Sequence, residues 1–148
     1  MQSNIELVKE ALAVVEAGDM KKLSGLVTDD MTFEGPVPEP LPKAAYLGLI
    51  DALIHAIPNW KFDAKGFVES GDKVSVTLNV NGTHTGTLAL PMLPQPLPAT
   101  GKRFQVPAEP FEFTFEGGKI SRITAEVVPG GGVMGMLAQL GVAMPSAA

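Results

Sequence analysis

A glutamate followed at every second position by aromatic rings is the most chemically suggestive pattern in the chain. Glu109, Phe111, Phe113 and Phe115 fall on one side of an alternating run, and Glu112, Thr114 and Glu116 on the other. A carboxylate placed among rings loses water. Its proton affinity then rises toward the range useful to a general base acting on an acidic carbon. Pro107 and Pro110 flank it, and a strand distorted by them would instead turn Glu109 to solvent, where glutamates ordinarily lie.

His84 is in phase with Val76, Leu78 and Val80, which aims it inward with them. There a neutral imidazole could shuttle a proton or bond a substrate carbonyl, or act as a structural histidine bonding a neighbouring strand or loop. Asp51 and His55 are four apart on a helical stretch and can pair, although that spacing also describes an ordinary solvated face. Tyr46, Trp60, Phe62, Phe111 and Phe113 would line the interior, as plain core or as the wall of a ligand pocket.

The elements that hold these residues are legible from period and punctuation. Ser3 and Glu6 form a capping box ahead of Ile5, Val8, Leu12 and Val15 at helical spacing. Gly18 stops that helix, and Asp19 starts a second carrying Met20, Leu23, Leu26 and Val27. Residues 31–34 are short and extended, residues 35–40 are a proline-rich loop, and Tyr46, Ile50, Leu53 and Ile57 mark a third helix ended by Pro58. The period then changes to two. Trp60, Phe62, Ala64 and Val68 alternate with charged residues, and a turn at 70–72 leads to Val74, Val76, Leu78 and Val80. Residues 103–116 form another strand, and Gly117-Gly118 turns into a last one with Ile123, Ala125 and Val127 opposite Arg122, Thr124 and Glu126.

Three helices followed by an antiparallel meander predict one α+β domain over residues 1–148, a curved sheet wrapped around the helices with an internal apolar pocket. Residues 88–99 contain four prolines among Met92, Leu93 and Leu97 and suggest a lid over the pocket mouth, or a rigid contact at a dimer interface. Gly130-Gly131-Gly132 reads as a joint. The apolar segment after it, with Val133, Met134, Met136, Leu137 and Leu140, must cover either the pocket or a partner subunit.

Composition bounds the function. The 148 residues are 45% apolar and 18% charged, with net charge -5 and no basic run, which argues against nucleic acid as a partner. No cysteine is present, which excludes thiol catalysis, disulfides and thiolate metal sites; the two histidines are not spaced to share a metal. No apolar run is long enough to span a membrane and no leader is evident, so a soluble cytoplasmic protein is expected.

Gly82-Thr83-His84-Thr85-Gly86, Ala99-Thr100-Gly101-Lys102-Arg103 and the Gly118-Lys119-Ile120 turn, in that order, resemble landmarks of the SnoaL-like polyketide and ester cyclases of the nuclear-transport-factor-two-like superfamily. The segments AGDMKKLSGLVTDDMTFEGP and AIPNWKF are similar to that family's helical hairpin and helix-to-sheet junction. The resemblance implies an aldol-type ring closure of an anthracycline-type ester, or related acid/base chemistry on a small apolar carbonyl compound, without metal or cofactor, in a homodimer paired sheet to sheet. It also implies an acidic residue in the last strand, where this chain has Ala125. Glu126 is the acid beside it, on the opposite face unless a bulge shifts the register. Glu109 resembles a polar pocket position of the family, and the next inward position, often polar there, is Phe111. An epoxide hydrolase of the superfamily would need an inward Asp-Arg-Asp network that the sequence does not offer. The two readings are a cofactor-independent cyclase or isomerase using Glu109 and His84, and a non-catalytic module binding a small apolar or aromatic ligand.

Overall fold

The computed structural model describes residues 3–35, 39–90, 95–126 and 128–141. Helix α1 (Asn4–Ala17) starts where Ser3 accepts a hydrogen bond from the Glu6 amide, and ends at Gly18, whose φ of 75° suits a residue without Cβ. Asp19 caps α2 (Met20–Leu26) through the Lys22 amide. Strand β1 (Val27–Glu34) follows directly, so Val27 opens a strand rather than completing the helical stripe. A two-residue strand β2 (Leu41–Pro42) leads into α3 (Lys43–Ala56). The remaining elements are β3 (Lys65–Ser70), β4 (Lys73–Leu78), β5 (Asn81–Thr83), β6 (Arg103–Gln105), β7 (Glu109–Glu116), β8 (Lys119–Ala125) and a final helix α4 (Gly132–Gln139).

Six strands form an open curved sheet in the order β2-β1-β8-β7-β4-β3, and β5 and β6 form a separate ribbon. This is the expected α+β architecture, with one difference. β1 pairs with β8 in parallel, which the long connection between them permits; the other neighbours are antiparallel. Alternating side chains of β4, β7 and β8 meet α1, α2 and α3 in one hydrophobic core, while Arg122–Glu34 and Lys73–Glu112 ion pairs mark the other face.

The alternation from Trp60 to Val68 does not persist as one strand. Asp63 has a φ of 45°, and the β3–β4 register shifts between Lys65 and Val68, so Phe67 is half-buried and Val68 is exposed. A second break lies between β4/β7 and β5/β6. Pro107 offers no N–H to a ladder, and the chain recovers pairing only beyond it. Asn79 spans the gap, its Nδ2 donating to the Val106 carbonyl (3.1 Å) and its amide to the Phe62 carbonyl (2.7 Å). The register consequently changes from Leu78↔Glu109 to Asn81↔Gln105, and Val106 and Glu109 are both buried.

The motif residues Gly82 and Gly86 lie hard against the end of α3. A Cβ on Gly82 would stand 2.4 Å from Ile57 Cγ2, and one on Gly86 2.5 Å from the His55 carbonyl oxygen. The amides of Thr85 and Gly86 both donate to the Ala56 carbonyl, satisfying an acceptor left open by the helix end. Gly86→Ala is therefore expected to cost about 1–3 kcal/mol. Gly48→Ala, in the open on α3, is expected to add about 0.5–1 kcal/mol. Urea midpoints of the two variants should move in opposite directions.

Candidate active-site cavity

Beneath the ribbon lies a cavity with about 90 Å³ open to the centre of a water molecule. One water needs only about 10–15 Å³ by this measure, so the space suits a small organic body. Helix α3 contributes Tyr46, Leu49, Ile50 and Leu53, the junction after it contributes Trp60 and Phe62, and the bent strands contribute Val80, Phe104, Val106, Glu109 and Phe111. Phe33, Gly132 and Met136 complete the wall. Trp60 meets Phe62 edge to face at 5.9 Å and Phe104 at 6.1 Å, and Phe33 stacks on Tyr46 at 5.3 Å. These contacts fix the rings at separations typical of favourable aromatic pairs.

Glu109 is the single carboxylate in this wall. As the first residue of β7 it pairs with Leu78, and it is only 3% exposed. Pro110 faces outward and keeps its place opposite Thr77, so neither flanking proline turns Glu109 to solvent. Oε1 accepts one hydrogen bond, from the Gly132 amide at 3.1 Å. Burial pushes the carboxyl above the usual glutamate range, and the Gly132 amide, by favouring the anion, offsets part of that rise. Tyr46 is held neutral by burial, its phenol pushed well above its ordinary value. Trp60 Nε1–H is a buried donor without an acceptor among the described residues.

His84 lies elsewhere. It is fully buried, still in phase with Leu78, Val80 and Gly82, but it is outside the cavity wall. Its Nδ1 accepts from the Thr100 amide (3.2 Å) and lies 2.9 Å from Thr100 Oγ1, while its backbone bonds Lys102 and Gly101. Since Nδ1 accepts from an amide, the neutral ring carries its proton on Nε2. Burial lowers its affinity for a second proton. The first two sequence landmarks are thus joined through His84 and Thr100, at a distance from the carboxylate.

The other expected site residues divide similarly. Tyr46, Trp60, Phe62 and Phe111 join Glu109, whereas Phe113 borders an adjacent void of about 30 Å³ that shares Tyr46, Phe62 and Phe111 with the cavity. Ala125 is the cross-strand partner of Phe111 but is covered by Gly35, where a Cβ would meet its carbonyl oxygen at 2.4 Å. It does not reach the cavity wall. The register shift in the β7–β8 hairpin falls at Thr114/Phe115, before this pair, and leaves Glu126 exposed. Asp51 and His55 are on the exposed side of α3. Among the described residues there is no cluster of His, Asp and Glu able to hold a metal ion, and no helix long and apolar enough to cross a membrane.

Among the described residues, α4 contributes Gly132 and Met136 to the cavity wall and the proline-rich loop contributes none. Leu88 pairs with Leu97, Leu88 and Leu90 are buried, and the described part of that loop does not line the cavity; Met92 and Leu93 lie outside the described residues. So do Pro36 to Pro38, Val127 and the side chains of Val133 and Met134. Phe33, Leu49, Phe104 and Val106 are wall residues that the sequence did not single out, and Gly132 and Met136 stand out in it only as part of a joint and of an apolar segment. The apolar helix in need of a surface was the signal that pointed to these two.

The raised affinity of Glu109 for its proton has a sign for stability. Between the ordinary glutamate value and the folded value the native state binds more protons than the unfolded chain, so stability falls as pH rises through that window and is level below it. Glu109→Gln should flatten this fall in a series of urea unfolding curves. Thr100→Val is expected to cost about 1 kcal/mol by removing the hydroxyl beside His84, with no effect on the cavity. Calorimetry of the variant alongside a ligand titration checks both parts.

Comparison with known proteins bears on this geometry. No curated protein matches the sequence. The fold is shared with AclR of Streptomyces galilaeus, a candidate hydroxylase (TM-score 0.72, 20% identity, 92% of this chain and 79% of that one). It is shared also with IdmH of Streptomyces antibioticus, a candidate polyketide cyclase (TM-score 0.71, 20% identity, 95% and 100%). A SnoaL-like polyketide cyclase from Agrobacterium tumefaciens is similar too (TM-score 0.68, 21% identity, 95% and 99%). The family model for the SnoaL-like domain matches residues 8–123, from within the first helix to the last strand, and the chain accordingly belongs to the SnoaL-like family.

Proposed function

We propose that this cavity takes a small apolar or aromatic carbonyl compound and that Glu109 is the general base of a proton transfer on it, as in aldol-type cyclisation or isomerisation, with no cofactor required. One observation carries the reading: a lone carboxylate in an aromatic wall, with one hydrogen bond and a raised proton affinity. A base of that kind is matched to carbon acids better than a solvated glutamate is.

The step is simple in its balance. The Glu109 carboxylate takes a proton from the carbon beside the carbonyl, the C–H electron pair passes into the enolate, and the negative charge gathers on the carbonyl oxygen. In this reading the Tyr46 phenol, a wall residue kept neutral by burial, is the donor for that oxygen, a part that His84, outside the wall, does not supply. The enolate then attacks a second carbonyl, or regains the proton at another carbon from the Glu109 carboxylic acid. Ala125 stands where the resemblance implies an acid in the last strand, so in this reading Glu109 takes that role from the neighbouring strand.

Phenylacetone in D₂O tests the proposal, with the emission of Trp60, the single tryptophan, reporting binding. Wild type is expected to accelerate exchange of the methylene protons by roughly 100-fold or more over buffer. Glu109→Gln should bind the ketone and lose the exchange. Binding by wild type with no accelerated exchange would leave a binding module, and no binding would remove the ligand pocket itself.

A further inference from the structure

Helix α4 is fastened at both ends by polar contacts that its apolar face does not require. At its start the Gly132 amide donates to Glu109 Oε1 at 3.1 Å. At its last residue the Gln139 side chain makes a reciprocal pair with one backbone unit of β6: the Gln105 amide donates to Oε1 (2.9 Å), and Nε2 donates to the Gln105 carbonyl (2.7 Å). Gln139 thereby imitates a neighbouring strand along the side of β6 that β5 leaves open. Between the two ends Met136 enters the cavity wall, and Leu137 and Leu140 are buried.

Glycines occupy the places where this helix joins the rest. A Cβ on Gly131 would stand 3.2 Å from Glu109 Cδ and 2.6 Å from Val128 Cγ2. A Cβ on Gly135 would meet the Gly130 carbonyl oxygen. Gly130 and Gly132 have φ of 78° and 69°, a region other residues rarely adopt. The backbone here is shaped to bring one amide up to one carboxylate. A helix needing only to bury leucines would not require that approach.

We propose that α4 is a positioning element of the site, with Gln139 the residue that holds the Gly132 amide against the Glu109 carboxylate and Met136 in the cavity wall. Gln139 touches neither ligand nor carboxylate and acts through the helix. The proposal rests on the reading of Glu109 as the base. It adds that the orientation of the base, and the closure of the cavity around it, are set from the far end of an eight-residue helix.

Gln139→Ala and Gln139→Glu test it, the second keeping the acceptor for the Gln105 amide and losing the donor to the carbonyl. The position is exposed, so both variants are expected to fold. Three quantities are read in full-length protein: amide exchange along α4, the carboxyl titration of Glu109 by carbon NMR, and the dissociation constant of phenylacetone from Trp60 emission. Gln139→Ala should speed exchange in α4, move the Glu109 titration down toward the ordinary glutamate value because the burial it relieves, the larger influence, outweighs the Gly132 amide it withdraws, and weaken phenylacetone roughly threefold to tenfold. Gln139→Glu should fall between it and wild type. Faster α4 exchange with an unchanged titration and unchanged affinity would show a merely structural clasp and overturn the proposal. So would α4 exchange that stays at the wild-type rate. An ordinary titration for Glu109 in wild type would instead overturn the base reading, and the clasp would still be decided by exchange and affinity.

Discussion

Pro107 cannot donate to a ladder, and the central strands of the sheet lose their pairing on either side of it. The register changes there from Leu78↔Glu109 to Asn81↔Gln105, so that Phe104 and Val106 before Pro107 and Glu109 after it are buried alike. The β5–β6 ribbon is a separate sheet beyond the break, and Asn79 satisfies backbone groups that the break would otherwise leave unpaired. Val80, Phe104 and Val106 on one side of the break, and Glu109 and Phe111 on the other, thereby face one space. The cavity follows from a local failure of sheet geometry.

Within that space Glu109 presents a cost that the fold only partly offsets. A buried carboxylate needs hydrogen bonds or a counter-charge to remain ionised, and here it has one amide at the start of a short helix and no basic group in the wall. The proton is correspondingly held more tightly than on a free glutamate. A second donor or a lysine nearby would stabilise the anion and weaken it as a base. Stability and proton affinity therefore pull in opposite directions at this residue, as is common where a group is kept for chemistry.

The family landmarks take on a structural meaning in this chain. Gly82 and Gly86 allow the ribbon to approach the end of α3, and their neighbours satisfy its last carbonyls. His84 links that segment to Thr100 and so to the start of β6. Together they hold the two arms of the bend against the helix that supplies much of the cavity wall. These segments serve the fold, whereas the carboxylate that the cavity presents comes from the first residue of β7.

The sequence by itself determined the helices, their caps at Ser3 and Asp19, the inward face of β7 and the absence of an acid at Ala125. Each is a matter of local period or of residue type, and local periods survive folding wherever a ladder or a helix is continuous. It did not determine whether His84 would reach Glu109, because a shared inward phase fixes the face of the sheet and not the position along it. It left open whether the apolar C-terminal segment would serve a partner or the chain's own pocket. Tertiary structure decided both: His84 is buried against Thr100 outside the cavity wall, and α4 brings Met136 into that wall while Leu137 and Leu140 are buried. Contacts between residues far apart in the chain depend on where strands stop pairing, and that is a property of the assembled sheet rather than of any one segment's pattern.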